Sequence, residues 1–199
     1  KKLMVYASSL RSELALLPGY GFTPTDPVFD WSKLMANKDK ELDRLNGVYR
    51  KLLDGSEVAR FEGSARVLDP HTVEVGGKKV SGKYLAIAVG GKSWVPDKPG
   101  KELALTSDDL FQLEKLPRSI TLMGSGYIGL EFAGIFAGLG SQVTVMFRSD
   151  LPLPEFDGDV RKALKEQMEH KGIRFVTGAN LQRLSKHGDE IQVTTDQGE

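Results

Sequence analysis

The spacing of apolar positions divides the chain into stretches of different period. "KKLMVYASSLRSELALL" places Leu3, Leu10, Leu14 and Leu17 near one helical face. "PGYG" ends that helix. Asp30 can cap a second helix over "WSKLMANKDKELDRLNGVYRKLLDG". Its stripe is Leu34, Leu42, Leu45, Tyr49, Leu52 and Leu53, and Gly55 stops it. The period then falls from 3.6 to 2. "EVARFEG" and "SARVLD" read as strands, "TVEVGGKKVSG" as a hairpin around Gly76-Gly77, and "YLAIAVGG" as a buried strand. The Pro- and Gly-bearing loop "KSWVPDKPG" leads to a short helix in "TSDDLFQLEKLP", capped by Ser107 or Thr106.

Beyond Pro117 strands and helices alternate. "RSITLMG" is a strand, "SGYIGLEFAGIFAGLG" a helix and "SQVTVMFR" a second strand. "DGDVRKALKEQMEHKG" is a further capped helix closed by Gly172. "IRFVTG", "LQRLS" and "EIQVTT" are short strands. The pattern predicts an α/β fold with a boundary near Leu116-Pro117.

One turn in this alternation carries chemistry. Gly124-Ser125-Gly126-Tyr127-Ile128-Gly129 fits G-x-G-x-x-G, with a strand running in, a helix running out and a second strand after it. In a dinucleotide site, Gly124 makes the tight turn and Gly126 lets the backbone approach a pyrophosphate. Gly129 lets helix and strand pack closely. Free amides and the positive helix dipole face the phosphates. The competing expectation is a strand–helix turn that merely needs glycines. NAD sites place an acid at the end of the second strand, to bind the ribose 2′-hydroxyl. Here that end reads Met146-Phe147-Arg148. A guanidinium there can hold a 2′-phosphate, with charge-assisted hydrogen bonds of about 1.5–3 kcal/mol. NADPH is therefore the expected cofactor, against the alternative that Arg148 is a solvated charge at a strand end.

Composition narrows the function classes. The 199 residues carry 27 basic and 27 acidic side chains, so no whole-chain charge draws it to nucleic acid or an anionic membrane. No apolar run approaches a membrane span. The chain has no cysteine, which removes thiolate nucleophiles and cysteine metal sites from it. His71, His170 and His187 lack ligand spacing and read as surface residues, so no metal is expected. The start at "KKLMVYASSL" and the stop at "IQVTTDQGE" read as cuts, making this an internal segment of a longer protein.

Five stretches in order carry a resemblance. They are "KKLMVYAS", "LMANKDKELDRLNGVYRKLL", "EGSARVLDPHTVEV", "AIAVGGKSWVPDKPGKELALTSDDLFQLEKLP" and "GSGYIGLEFAGIFAGLGSQVTVMFR". Together they resemble the glutathione reductases, particularly of plant and cyanobacterial type, within the flavoprotein disulfide reductases. The resemblance runs from Lys1 to Glu199. It implies FAD/NAD(P)-binding Rossmann-like domains of three-layer sandwich form, with the NADPH domain inserted in the FAD domain. Residues 1–116 would then be part of the FAD-binding domain and 117–199 an incomplete NADPH-binding domain. The redox cysteine pair would lie upstream of Lys1.

The resemblance also implies roles. Lys1 matches the lysine beside the flavin N5, and Glu131 the acid that pairs with it. Tyr127 matches the aromatic that covers the flavin until nicotinamide arrives, the alternative being a residue that packs its helix. Ser125 and Ile128 match contacts to NADPH, and Arg148 matches one of two arginines for the 2′-phosphate. The second arginine's position is Pro154 here, a departure from the pattern. Gly63, Ser64 and Ala65 match a strand passing the FAD adenine, and Gly90-Gly91 a pair ending a strand near the flavin. Tyr49 matches a glutathione contact, or is a core residue of its helix stripe. The implied substrate is glutathione disulfide, the complete protein a homodimer, and the compartment the cytoplasm, with the plastid as the other. The alternatives are a trypanothione- or lipoamide-type reductase, the latter expected to carry an acid at position 147, or a non-catalytic NADPH-binding fragment.

Overall fold

The computed structural model describes residues 1–23 and 28–198. The chain divides into two compact units, residues 1–38 with 93–199, and residues 39–92.

The first unit opens with α1 (Lys2–Leu14), a 3₁₀ turn (Leu17–Tyr20) and the beginning of α2 (Trp31–Gly55). The Asp30 carboxylate accepts the Lys33 amide at 3.0 Å, as expected of a cap. After residue 93 come a 3₁₀ turn (Lys101–Leu103) and the single-turn α3 (Ser107–Leu110). Thr106 rather than Ser107 caps α3: the Asp109 carboxylate accepts both its amide and its hydroxyl, each at 2.7 Å. Then β4 (Ser119–Met123), α4 (Tyr127–Leu139), β5 (Gln142–Phe147), α5 (Gly158–His170) and β6 (Arg174–Thr177) alternate. The three strands form one parallel sheet in the order β4-β5-β6. This is the doubly crossed α/β arrangement that the alternation of periods predicts. β7 (Leu181–His187) and β8 (Glu190–Thr195) pair antiparallel beside it in sequence.

The core of this unit is built by α4 and β5. Phe132, Phe136, Ile135 and Val145 are no more than 2% exposed. Trp31 stacks on Phe136 at 6.1 Å, and Phe111 packs tilted against Phe132 at 5.3 Å. α1 packs on α4 through a different face from the one its leucines predict. Met4 and Ser8 are buried, whereas Leu3 and Leu10 are exposed. The cause is close approach: a Cβ at Gly138 would lie 2.8 Å from the Ser8 Cβ, so only a small residue fits opposite. Arg11 completes the contact by donating to the Leu139 carbonyl, 2.9 Å, at the C-terminal end of α4.

The second unit holds the rest of α2 and an antiparallel meander of β1 (Ala65–Asp69), β2 (Thr72–Val75) and β3 (Lys78–Ser81). Gly76 and Gly77 have φ of 56° and 75°, the two left-handed residues that a tight hairpin needs. Two expected strands are absent. "EVARFEG" is irregular because α2 runs to Gly55 and Glu57 turns the chain at φ 55°. "YLAIAVGG" is extended but unpaired and exposed rather than buried, with Ile87 72% and Val89 88% exposed. A strand needs a ladder partner, and among the described residues none lies beside it.

Candidate functional site

The glycine turn sits between β4 and α4. The sheet ladder continues one residue past Met123, since the Gly124 amide donates to the Met146 carbonyl at 2.9 Å. Gly124 then adopts φ 125°, which a side chain would strain. Nothing lies within 4 Å of a Cβ built at Gly124 or Gly126, so both present bare backbone to open space. A Cβ at Gly129 would come 3.3 Å from the Gly124 carbonyl, so the helix lies close against the turn there. The first-turn amides of α4 have no intrahelical acceptor. Open backbone, unpaired amides and a helix N-terminus fit a dinucleotide pyrophosphate.

Arg148 follows β5 directly and is exposed. It makes no hydrogen bond or ion pair with other described residues, so its five donors face solvent. No carboxylate stands at Phe147, which is buried against Phe175 at 6.0 Å in an edge-on contact. The residues at this strand end therefore suit a phosphate better than a ribose hydroxyl.

Three residues named from the sequence, Lys1, Tyr127 and Glu131, meet along the first turn of α4. Lys1 caps α1, and its ammonium forms an ion pair with Glu131, 130 positions away in the chain. The same Nζ lies 5.7 Å from the centre of the Tyr127 ring and 5.5 Å from that of Phe132. Tyr127 is the first residue of α4 and is 63% exposed, so helix packing is not what it serves in this unit. The ammonium therefore sits between a carboxylate and two aromatic faces.

Lys38 was not foreseen. It is 4% exposed, and its Nζ donates to the Phe111 carbonyl at 2.8 Å. Trp31, seven residues earlier on the same face of α2, donates from Nε1 to the Leu113 carbonyl at 2.8 Å. Together they hold the segment whose Phe111 ring packs on Phe132. The signal in the sequence was the period itself: Trp31, Leu34 and Lys38 share one stripe, but a lysine is discounted when such stripes are read.

Tyr49, Gly63, Ser64, Ala65, Gly90 and Gly91 lie in the second unit, and all are exposed. Tyr49 is 62% exposed, so it is no core residue of this unit. Gly63 and Ser64 precede β1 and Ala65 opens it, so only the last stands in a strand. Gly63 has φ 136° and Gly90 φ 74°. Gly90 and Gly91 end an extended segment rather than a strand. Among the described residues, no group of three or more His, Asp or Glu gathers as a metal site, and no helix is long and apolar enough to cross a membrane.

Comparison with known proteins agrees with this architecture. The chain is 42% identical over 200 residues to the chloroplastic/mitochondrial glutathione reductase of Pisum sativum, covering 100% of this chain and 36% of that protein. It is 42% identical over 176 residues to glutathione reductase of Nostoc sp., covering 88% and 38%. Among solved structures, the Cu(II) complex of the HOCl-induced flavoprotein disulfide reductase RclA from Escherichia coli matches with a TM-score of 0.81. Its identity is 25%, and the match covers 98% of this chain and 42% of that one. The chain thus spans less than half the length of each. Residues 2–199 match the family described as pyridine nucleotide-disulphide oxidoreductase; with its Rossmann-like parallel sheet and glycine turn, the chain belongs to that family.

Proposed function

We propose that this chain is the nicotinamide-side part of an NADPH-dependent flavoprotein that reduces glutathione disulfide. The observation that carries the reading is the meeting of Lys1, Glu131 and Tyr127 at the first turn of α4, beside the open glycine turn. When bound, NADPH would supply a hydride to FAD, and a cysteine pair elsewhere in the complete protein would pass the electrons on to the disulfide. Residues 1–116 would share in holding FAD, and residues 117–199 would hold NADPH.

The division of labour follows from residue chemistry. Gly124, Ser125, Gly126, Ile128 and Gly129 offer backbone to the pyrophosphate, and Arg148 offers a fork of donors to the 2′-phosphate. Tyr127 is the exposed ring that would cover the flavin. The Lys1 ammonium would favour an electron-rich reduced ring, and Glu131 offsets the cost of placing that charge in a partly desolvated site. Gly63, Ser64, Ala65 and Gly90 belong to the FAD side and Tyr49 to the glutathione side. The complete protein would act as a homodimer in the cytoplasm or plastid.

The relatives named glutathione reductase support the substrate, and the Phe147-Arg148 pair supports the cofactor over NAD. Arg148→Ala tests it. Removing charge-assisted bonds of about 1.5–3 kcal/mol should weaken NADPH by roughly ten- to a hundredfold and leave NADH nearly unchanged. Titration calorimetry with both dinucleotides reads this directly, and an equal loss for the two sinks the assignment.

A further inference from the structure

We propose that Arg161 is a positioning residue for dinucleotide selection, fastening the 149–156 loop so that Arg148 and the glycine turn are held in one frame. The inference rests on the NADPH reading above. Arg161 lies in the first turns of α5 and is partly buried. Its Nε donates to the Pro152 carbonyl at 2.6 Å and its Nη2 to the Leu151 carbonyl at 2.9 Å. The planar fork thereby grips two successive peptide units, a geometry open to arginine and not to lysine.

Both ends of the gripped loop reach the proposed dinucleotide site. On one side, Ser149, which follows Arg148, donates from Oγ to the same Leu151 carbonyl at 2.9 Å. On the other, the Leu153 amide donates to the Ser125 carbonyl at 2.8 Å, inside the glycine turn. Pro152 is fully buried between them. Leu153 is held at φ 52°, a conformation that persists in a leucine only where the surroundings over-determine it. Among the described residues, Arg161 is the side chain whose donors reach into this loop from outside it. With Pro154 at the expected second arginine position, the proposed discrimination leans on Arg148, and its effect depends on how firmly the loop holds it.

The test uses the 199-residue chain as wild type, Arg161→Met and Arg161→Lys. Hydrogen exchange of the Leu153 amide is followed alongside the amides of β5, and NADPH and NADH affinities are measured by calorimetry. Arg161→Met should speed Leu153 exchange while leaving β5 protected. It should weaken NADPH by about tenfold, ~1.4 kcal/mol, with a smaller loss for NADH. Arg161→Lys should fall between the two. A Leu153 amide as protected in Arg161→Met as in wild type overturns the clasp. Faster exchange with an unchanged NADPH-to-NADH ratio overturns its role in selection. A wild-type chain without preference for NADPH overturns the underlying reading, whereas the exchange result still decides whether the clasp exists.

Discussion

The unit built on the β4-β5-β6 sheet and the unit of residues 39–92 both carry apolar stripes, but only the first closes a core over them. In the first, Phe132, Phe136, Ile135 and Val145 are sealed by α1, α4 and the start of α2. In the second, Val75 is the one buried residue among those described, and Leu52 stays 61% exposed. The difference lies in layers. A parallel sheet with crossover helices brings its own cover, because each connection must pass over a face of the sheet. A three-stranded meander and half a helix have one apolar face each and too little surface to bury both. An apolar stripe therefore states what a segment needs, and the surrounding architecture states whether the need is met.

The contrast is broken or upheld most strongly by paired truncations. Phe136→Ala removes a ring at 0% exposure that packs on Trp31 and Phe132, and should cost about 3–5 kcal/mol. Leu52→Ala should stay within about 0.5 kcal/mol. Urea unfolding of both variants reads the gap; comparable losses would show that the second unit's stripe is covered in solution.

A finer contrast lies within α4. Gly138→Ala would press a methyl onto Ser8 and should cost about 1–3 kcal/mol. Gly134→Ala meets nothing within 4 Å and should stabilise the helix by about 0.5–1 kcal/mol. Thermal melts with the same sign for both variants would show that α1 is not seated on α4 as described.

The smallest effects concern acid. Each unit has an exposed carboxylate held below its ordinary range. Asp109 is lowered by the amide and hydroxyl of Thr106, and Asp69 by the amide of His71 and the hydroxyl of Thr72. A carboxylate with a depressed folded pKa contributes stability above its unfolded value, and that contribution is lost as pH falls through the folded one. Asp109→Asn should therefore flatten the acid limb of the first unit's stability and Asp69→Asn that of the second. Denaturation midpoints recorded across the carboxylate range check both, and a steeper acid limb in either variant would contradict the sign.

Much of the candidate site was legible in the sequence because the residues proposed for it are local. Gly124 to Gly129 and Arg148 lie within one strand–helix–strand unit, where spacing alone sets what each residue faces. The pairing of Lys1 with Glu131 was legible only through resemblance, since 130 residues separate them. Lys38, Arg161 and Leu153 were not legible. Their roles are made by carbonyls brought within reach from elsewhere in the fold, and a side chain's sequence neighbours do not reveal which carbonyl it will find.

By itself the sequence determined the helices, the parallel strands, the glycine turn and the missing acid at Phe147. Periodicity and backbone freedom are properties of short stretches. Tertiary structure decided which face of α1 is buried, since close approach to Gly138 selects Ser8 over the leucines. It also decided that residues 84–89 form no strand, because a strand is completed by a neighbour and an apolar run cannot supply one on its own.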